Sequence, residues 1–142
     1  MDKKKDLASK LRTSGLRPTK QRIKLAEFLF NRDKTFHFTV ENLDKAINKK
    51  NSEDKIALAT IYNTVHAFKK AGHLKEILIK EGKSYFDTNT SSHHHFYDEV
   101  NNELTDIENN KIELKKFPTP PRGKSIKDVN VIINIDNDNQ KH

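Results

Sequence analysis

The stretch from Leu58 to Leu74, LATIYNTVHAFKKAGHL, constrains the fold of this chain more than any other. Its apolar residues Ile61, Val65 and Phe68 recur at the i, i+4 and i+7 positions that lie on one stripe of an α-helix. Gly72 favours termination of the helix, because a residue without Cβ adopts the left-handed conformation at little cost. The pattern predicts a helix that ends at this glycine and has one buried and one polar face.

The polar face of this helix carries the side chains that a DNA-reading helix needs. An amide, a phenol, an imidazole and two ammonium groups lie on it, and such groups meet base edges and phosphates in a major groove. A solvated, lysine-rich surface helix is the alternative interpretation of the face, and the surrounding sequence decides between the two. The residues of this helix predicted to contact DNA are Ala59, Thr60, Tyr62, Asn63, His66, Lys69 and Lys70.

The charge of the 142-residue chain is divided unevenly along its length. Residues 1–85 carry 20 Lys and Arg against 10 Asp and Glu, a net +10, whereas residues 86–142 carry 7 against 10, a net −3. This asymmetry indicates a polyanion-binding domain followed by a domain with another task, although a solvated lysine-rich surface gives the same count. We predict two domains, at residues 1–88 and 89–142.

The elements before residue 88 predict a winged helix-turn-helix domain. A short helix at Asp6–Thr13 precedes helices capped by Thr19 and Thr39, and the polar-faced helix follows them. The helix after Thr19 is predicted to bury Ile23, Ala26 and Phe30. Strand formers at residues 74–79 and 85–88 flank a turn at 81–83, which indicates a two-stranded wing. Further DNA contacts are predicted at the start of the second helix, from Arg17, Thr19 and Lys20.

The residues after position 88 predict a small α/β domain, which makes the chain α+β as a whole. Phe96 and Tyr97 lead into a turn at Asn101–Asn102, and ELTDI forms a returning strand. The final segment, VNVIINID, alternates apolar and polar residues from position 129 and is typical of a strand. Because so few short strands bury little core, we expect a second copy of the chain to cover them in a homodimer.

The chain contains no cysteine, and this absence excludes disulfides, a thiol nucleophile and a Cys-held structural zinc. Its N-terminus, MDKKKDLASK, has charges where a signal peptide needs an apolar core, and no apolar run approaches the roughly 18 residues of a membrane span. We expect a cytoplasmic protein without a membrane partner.

Three consecutive histidines, His93, His94 and His95, form the second chemical feature of the chain. Imidazole binds zinc, iron and haem iron near neutral pH. On a strand, consecutive residues point to opposite faces, so His93 and His95 are predicted to share one site while His94 serves another. His37 and Asp87 are further candidate ligands. A polar loop with exposed histidines is the alternative interpretation.

The segments GLRPTKQRIKLAEFL, FHFTVENL, LATIYNTVHAFKKAGHL and GKSYFDTNTSSHHHFYDE, followed by the closing strand, resemble the ferric uptake regulator (Fur) superfamily in order and spacing. Within it, HHHF, ELTDI and KFPTPPRGKSI are most similar to the iron response regulator, Irr. The resemblance implies a dimeric regulator of iron and haem genes that binds an operator in double-stranded DNA. It carries regulatory metal ligands onto His37, Asp87 and His95, and puts Tyr97 where the family usually has a histidine.

The resemblance to Irr further implies that the three histidines sense haem, so haem is the predicted cofactor, with divalent iron, manganese or zinc as the alternative. The metal-ligand set is then His37, Asp87, His93 and His95, and the haem set is His93, His94 and His95. A metal-buffering protein or metalloenzyme with an incidental basic face is the rival function. We predict no enzyme, because the sequence has no Gly-rich phosphate loop, nucleophile elbow or His-Glu-x-x-His helix.

Overall fold

The computed structural model describes residues 3–50, 53–80 and 82–138. The chain divides into two compact units, the first ending at Thr90 and the second beginning at Ser91. The helices of the first unit are α1 (Lys3–Thr13), α2 (Lys20–Phe30), α3 (Val40–Ile47) and α4 (Leu58–Lys70). Among the described residues, no helix is both long enough and apolar enough for a bilayer crossing.

Local hydrogen bonds explain where α2 and α3 begin. The Thr19 hydroxyl accepts the N–H of Arg22 at 3.2 Å at the start of α2. At the start of α3, the Thr39 hydroxyl accepts the N–H of Asn42 at 3.1 Å, and the Asn42 side chain accepts the N–H of Thr39 at 3.4 Å. Both contacts satisfy N–H groups that have no partner inside a helix. Both predicted helix starts are confirmed.

One hydrophobic core holds the four helices of the first unit together. The prediction for α2 was wrong in part, because Leu25 and Leu29 are buried with Ala26, while Ile23 and Phe30 lie only at the edge of the core. Since α2 contacts both α1 and α4, its buried arc faces the gap between these two helices. The buried residues of this core are Leu7, Leu11, Leu25, Ala26, Leu29, Phe38, Val40, Leu43, Ile47, Ile56, Ile61, Val65, Phe68, Leu74 and Phe86.

The first unit also contains a three-stranded antiparallel sheet in the order β1-β3-β2. Strands β2 (Lys75–Lys80) and β3 (Lys83–Asp87) form the predicted wing. Residue 81 of the predicted turn lies outside the described residues. Strand β1 (His37–Phe38) was not predicted, because two residues are too few to show an alternating pattern.

The second unit has a three-stranded sheet in the order β5-β4-β6. Strands β4 (His94–Asp98) and β5 (Glu103–Ile107) are antiparallel, and β6 (Ile132–Ile135) runs parallel to β4. A 3-10 turn at Asn109–Lys111 follows β5. The closing strand is shorter than the predicted segment, since it begins at Ile132 rather than Val129.

Candidate nucleic-acid interface and metal centre

Helix α4 has the two faces that its sequence predicts. Ile61, Val65 and Phe68 are fully buried, and Thr64 is buried beside them. Of the seven residues of α4 predicted to contact DNA, Thr60 is half-buried, and the others are exposed: Ala59, Tyr62, Asn63, His66, Lys69 and Lys70. The predicted core stripe is confirmed, and the polar groups of the opposite face lie at the surface.

Gly72 ends α4 as predicted. Its φ of 88° is left-handed, a conformation that strains other residues. The N–H of His73 donates to the carbonyl of Phe68 at 2.9 Å, and the N–H of Gly72 donates to the carbonyl of Lys69 at 3.0 Å. These bonds satisfy carbonyls that the helix leaves without partners.

Tyr62 is held by two neighbours on the exposed face of α4. Its hydroxyl donates a hydrogen bond to Oε1 of Glu41 at 3.0 Å. Its ring lies nearly parallel to that of His66, with planes 14° apart and centroids 6.4 Å apart. The hydrogen bond and the negative charge of Glu41 raise the pKa of Tyr62 above its ordinary value. Sequence reasoning missed Glu41, because only tertiary packing brings α3 to this face.

Lys69 is paired with the wing. Its Nζ forms an ion pair with Oε1 of Glu76 on β2 at 2.5 Å, and Ser84 of β3 donates to the other carboxylate oxygen at 2.6 Å. Burial opposes ionisation of Glu76, but the hydrogen bonds from Lys69 and Ser84 outweigh it and lower the pKa of Glu76. The wing and the end of α4 are therefore joined by charge as well as by the core.

An open depression of about 390 Å³, lined by residues with polar side chains, lies between the start of α2 and helix α4. It brings together residues that the sequence predicts separately as DNA contacts, with Arg17 and Thr19 on one side and Thr60 and Asn63 on the other. Lys20, the first residue of α2, is exposed. Such a concave surface with guanidinium, hydroxyl and amide groups has the donors that a phosphate oxygen accepts from.

In the first unit, two predicted metal ligands are cross-strand neighbours. His37 on β1 pairs directly with Asp87 on β3. Asp87 is buried, and its Oδ1 accepts the N–H of Asn89 at 2.9 Å. The edge of the Tyr85 ring faces the His37 imidazole, with centroids 6.4 Å apart. An imidazole and a carboxylate that meet across a ladder are a suitable ligand pair for a divalent ion.

In the second unit, His93 and His95 converge on Asp106 of β5. Their Nε2 atoms lie 3.4 Å and 3.2 Å from the same oxygen, Oδ1 of Asp106, and their rings are 4.5 Å apart. Around a tetrahedral zinc with bonds of 2.0–2.1 Å, ligand atoms are about 3.3 Å apart. The spacing of these three side chains therefore fits a divalent ion. Both histidines are buried.

The hydrogen bond of His93 determines which of its nitrogens is available as a metal ligand. Its Nδ1 lies 2.8 Å from the carbonyl oxygen of Ser91, and since a carbonyl only accepts, Nδ1 carries the hydrogen. In the neutral form of the ring, this tautomer presents a lone pair at Nε2 towards a carboxylate oxygen of Asp106. Two lone pairs repel unless a proton or a metal cation lies between them, and this backbone-anchored tautomer is typical of metal-binding histidines.

His94 points away from this cluster, as strand alternation predicts. Its Nδ1 accepts the backbone N–H of Val131 at 3.0 Å. The ring thereby connects β4 to the chain entering β6, and this nitrogen is occupied by a structural hydrogen bond. The three histidines are thus divided between two environments.

Asp106 is the candidate metal ligand that the sequence did not reveal. A two-residue turn at Asn101–Asn102 would place Glu108 opposite His95, whereas the observed connection pairs His95 with Asp106. Asp98 causes the difference, since its Oδ1 accepts the N–H groups of Val100 and Asn101 at 2.9 and 3.1 Å and starts the turn early. The sequence shows a carboxylate in ELTDI, but whether it lies opposite His95 depends on this strand register.

The sequence profile described as the ferric uptake regulator family matches residues 13–134. The chain belongs to the ferric uptake regulator family. The peroxide operon regulator of Bacillus subtilis is 33% identical over 91 residues, which are 64% of this chain and 60% of that relative. The peroxide-responsive repressor PerR of Staphylococcus epidermidis is 33% identical over 97 residues, or 68% of this chain and 62% of that relative. The matches thus span about three fifths of these relatives.

A solved structure shares the fold of this Fur-family chain. The ferric uptake regulator of Vibrio cholerae superposes with a TM-score of 0.71 at 23% identity, over 92% of this chain and 98% of that one. The predicted fold class, a winged-helix domain followed by a small α/β domain, is confirmed.

Proposed function

We propose that this Fur-family chain is a metal-responsive transcription regulator, with residues 1–88 as the DNA-binding domain and residues 89–142 as the dimerisation and sensing domain. The observation that carries the proposal is that α4 has one buried and one exposed face. Ile61, Val65 and Phe68 lie in the core, whereas the amide of Asn63 and the phenol of Tyr62 are exposed together with the lysine ammonium groups. A helix whose buried face is packed in the core in this way can present its polar face to a major groove in a fixed orientation.

The proposed DNA contacts are of two chemical kinds, those to base edges and those to the phosphates and sugars of the backbone. Asn63 and Tyr62 are proposed to meet base edges, since an amide pairs with adenine and an aromatic ring packs against a thymine methyl. The remaining contacts are proposed to position the helix on phosphates and sugars, and they come from Arg17, Thr19, Lys20, Ala59, Thr60, His66, Lys69 and Lys70.

We propose that the second unit holds a divalent ion through His93, His95 and Asp106, and that His37 and Asp87 of the first unit are a further candidate pair of metal ligands. The convergence of two Nε2 atoms on one carboxylate oxygen supports the first three. The cross-strand pairing of His37 with Asp87 supports these two residues as a pair of ligands. A bound ion would neutralise the carboxylates and fix the imidazoles, and it shifts DNA affinity only as far as it binds the DNA-competent state more tightly.

A non-haem ion is proposed in preference to the haem that the Irr resemblance implies. His93, His94 and His95 are at most 5% exposed, and Nδ1 of His94 is already hydrogen-bonded to Val131. A haem axial ligand needs an imidazole nitrogen that faces space for the macrocycle. The solved structure of the ferric uptake regulator from Pseudomonas aeruginosa contains manganese. It superposes with a TM-score of 0.66 at 23% identity, over 91% of this chain and 96% of that one. We therefore propose manganese as the first ion to test.

A homodimer is proposed through the second unit. Ile133 and Ile135 of β6 are 39% and 38% exposed, although they lie on a strand. An apolar groove of about 440 Å³ extends the same surface and includes Phe96, Ile107 and Ile112. Exposed apolar surface on an edge strand indicates a partner, and a two-fold protein reads a two-fold operator.

The test begins with selection of duplexes from a random pool by the full chain in the presence of manganese. Affinity for the selected duplex should fall steeply with salt, with a slope of about −0.9 in log K per phosphate neutralised. It should also change when manganese is removed by a chelator. The variant His93→Ala/His95→Ala should keep the metal-free affinity and lose the response to manganese.

Other outcomes contradict specific parts of the proposal. A parent that ignores manganese, iron and zinc but responds to haemin would establish the haem alternative. A parent that binds metal but selects no duplex would refute the regulator and leave the metal-buffering protein or metalloenzyme.

A further inference from the structure

Glu41 is an acidic residue within a surface that is otherwise suited to a polyanion. It lies in the first turn of α3, is exposed, and its Oε1 accepts the hydroxyl of Tyr62 at 3.0 Å. The surrounding unit is strongly basic and thereby suited to phosphate, whereas the negative charge of Glu41 repels phosphate and lowers DNA affinity. A role for Glu41 that involves the neighbouring phenol of Tyr62 would offset this loss of DNA affinity.

The contacts of Tyr62 restrict its ring from two directions. The hydroxyl is held by Glu41, and one face of the ring lies parallel to His66 one turn further along α4. His66 is supported in turn by Phe86, whose centroid is 5.8 Å away with planes at 89°. Phe86 belongs to the buried core. A phenol that is anchored at its tip and supported along its face loses little freedom when it meets a base.

Two simpler roles for Glu41 make different predictions. An acid in the first turn of α3 stabilises that helix through the dipole, and its loss would lower stability without changing sequence preference. An acid that only repels phosphate would, when removed, raise affinity for all duplexes alike. Neither role needs a hydrogen bond to a residue on the reading face.

We infer that Glu41 is a positioning residue for DNA specificity, which holds Tyr62 in the orientation that reads the operator. The inference rests on the proposed DNA-binding function. Glu41 acts through the tyrosine and is not itself required to touch a base. What it supplies is a hydrogen-bond acceptor at a fixed place, so an amide oxygen at the same position should replace it.

The experiment measures discrimination, the ratio of affinity for the selected duplex to affinity for random duplex. Glu41→Ala should lower discrimination about threefold to tenfold, which is the scale of immobilising one side chain at an interface. Glu41→Gln should keep discrimination within about twofold of the parent. Asp33→Ala removes an equal charge from an exposed loop of the same unit and is the matched control, with discrimination unchanged.

A double-mutant cycle separates positioning from charge. Tyr62→Phe should lower discrimination to the level of Glu41→Ala, and Glu41→Ala/Tyr62→Phe should be no worse than Tyr62→Phe alone. Independent effects of the two substitutions would overturn the inference, as would full discrimination in Glu41→Ala.

The contact itself is tested without DNA by the NMR titration of Cζ-labelled tyrosines, with Tyr62→Phe assigning the signal. Glu41→Ala and Glu41→Gln should lower the titration midpoint of Tyr62, and an unchanged midpoint would overturn the inference. If the parent selects no duplex, the proposed function fails by itself, whereas a discriminating parent with an indifferent Glu41→Ala variant refutes only the role of Glu41.

Discussion

Replacing Asp106 by Asn tests the proposed metal centre at the candidate ligand that the sequence did not reveal. The substitution keeps the size of the side chain and an oxygen that still ligates, but it removes the negative charge towards which His93 and His95 converge. If the three side chains hold a divalent ion, this charge contributes directly to affinity. If the cluster is only a structural hydrogen-bond network, metal affinity is indifferent to the change.

The magnitude follows from Coulomb's law. A unit charge about 2.1 Å from a divalent ion contributes about 4 kcal/mol even at the dielectric constant of water, which corresponds to about a thousandfold in affinity. Asp106 is 48% exposed at its side chain, so solvent replaces part of the lost charge, and the amide oxygen remains a ligand. We expect Asp106→Asn to weaken binding about tenfold to a hundredfold.

The assay is competition for zinc or manganese against a chromophoric chelator, at pH 7.5 and fixed salt. Glu103→Gln is the matched control, because it removes the same charge from an exposed residue of the same strand. Cobalt absorption provides a second readout, since its intensity reports the coordination number. Equal affinities for Asp106→Asn and Glu103→Gln would refute the metal centre, whatever the DNA-binding results.

Two further predictions concern stability and assembly. His73 packs between Phe30 and Phe68 with Nε2 2.8 Å from Ser14 Oγ, and burial, then the charge of Lys10, lowers its pKa below the ordinary 6.5. The unfolded chain then binds the proton more readily, so the free energy of unfolding should fall as pH drops below about 6.5, by less than the single-group limit of about 1.4 kcal/mol per pH unit. Urea unfolding from pH 8 to 5.5 should show this slope in the parent chain and a flatter slope in His73→Gln; equal slopes in the two proteins would contradict the prediction. Ile133→Glu should convert a micromolar homodimer to monomers in sedimentation velocity, whereas Ile126→Glu, at an exposed residue outside the strands, should not; a monomeric parent would refute the dimer.

The features that could be predicted from the sequence are those fixed by near neighbours in the chain. Thr19 and Thr39 cap helices through bonds to residues three positions on, and Gly72 ends α4 through its own φ. The buried stripe of α4 follows from a 3.6-residue period. These local rules gave the winged-helix architecture and the exposed face of α4.

The features that the sequence did not reveal depend on register and on packing between elements. Asp106 meets His95 only because Asp98 starts the hairpin turn early, and Glu41 meets Tyr62 only because α3 packs against α4. The burial of Leu25 rather than Ile23 likewise depends on which helices flank α2. Periodicity identifies a face of an element but not its neighbour.

Two aromatic rings of the first unit adjoin both the proposed ligands His37 and Asp87 and a residue of α4 that is proposed to contact DNA. Phe38 and Phe86 follow His37 and precede Asp87 in the chain, and they lie 5.9 Å apart with planes 30° from parallel. Phe86 in turn supports His66. Because close-packed side chains transmit strain, we expect a change in the spacing of His37 and Asp87 to act on the neighbouring rings, and through Phe86 on His66 of α4. The ladder between β1 and β3 that pairs the proposed ligands therefore also carries the ring that contacts His66, one of the residues proposed to contact DNA.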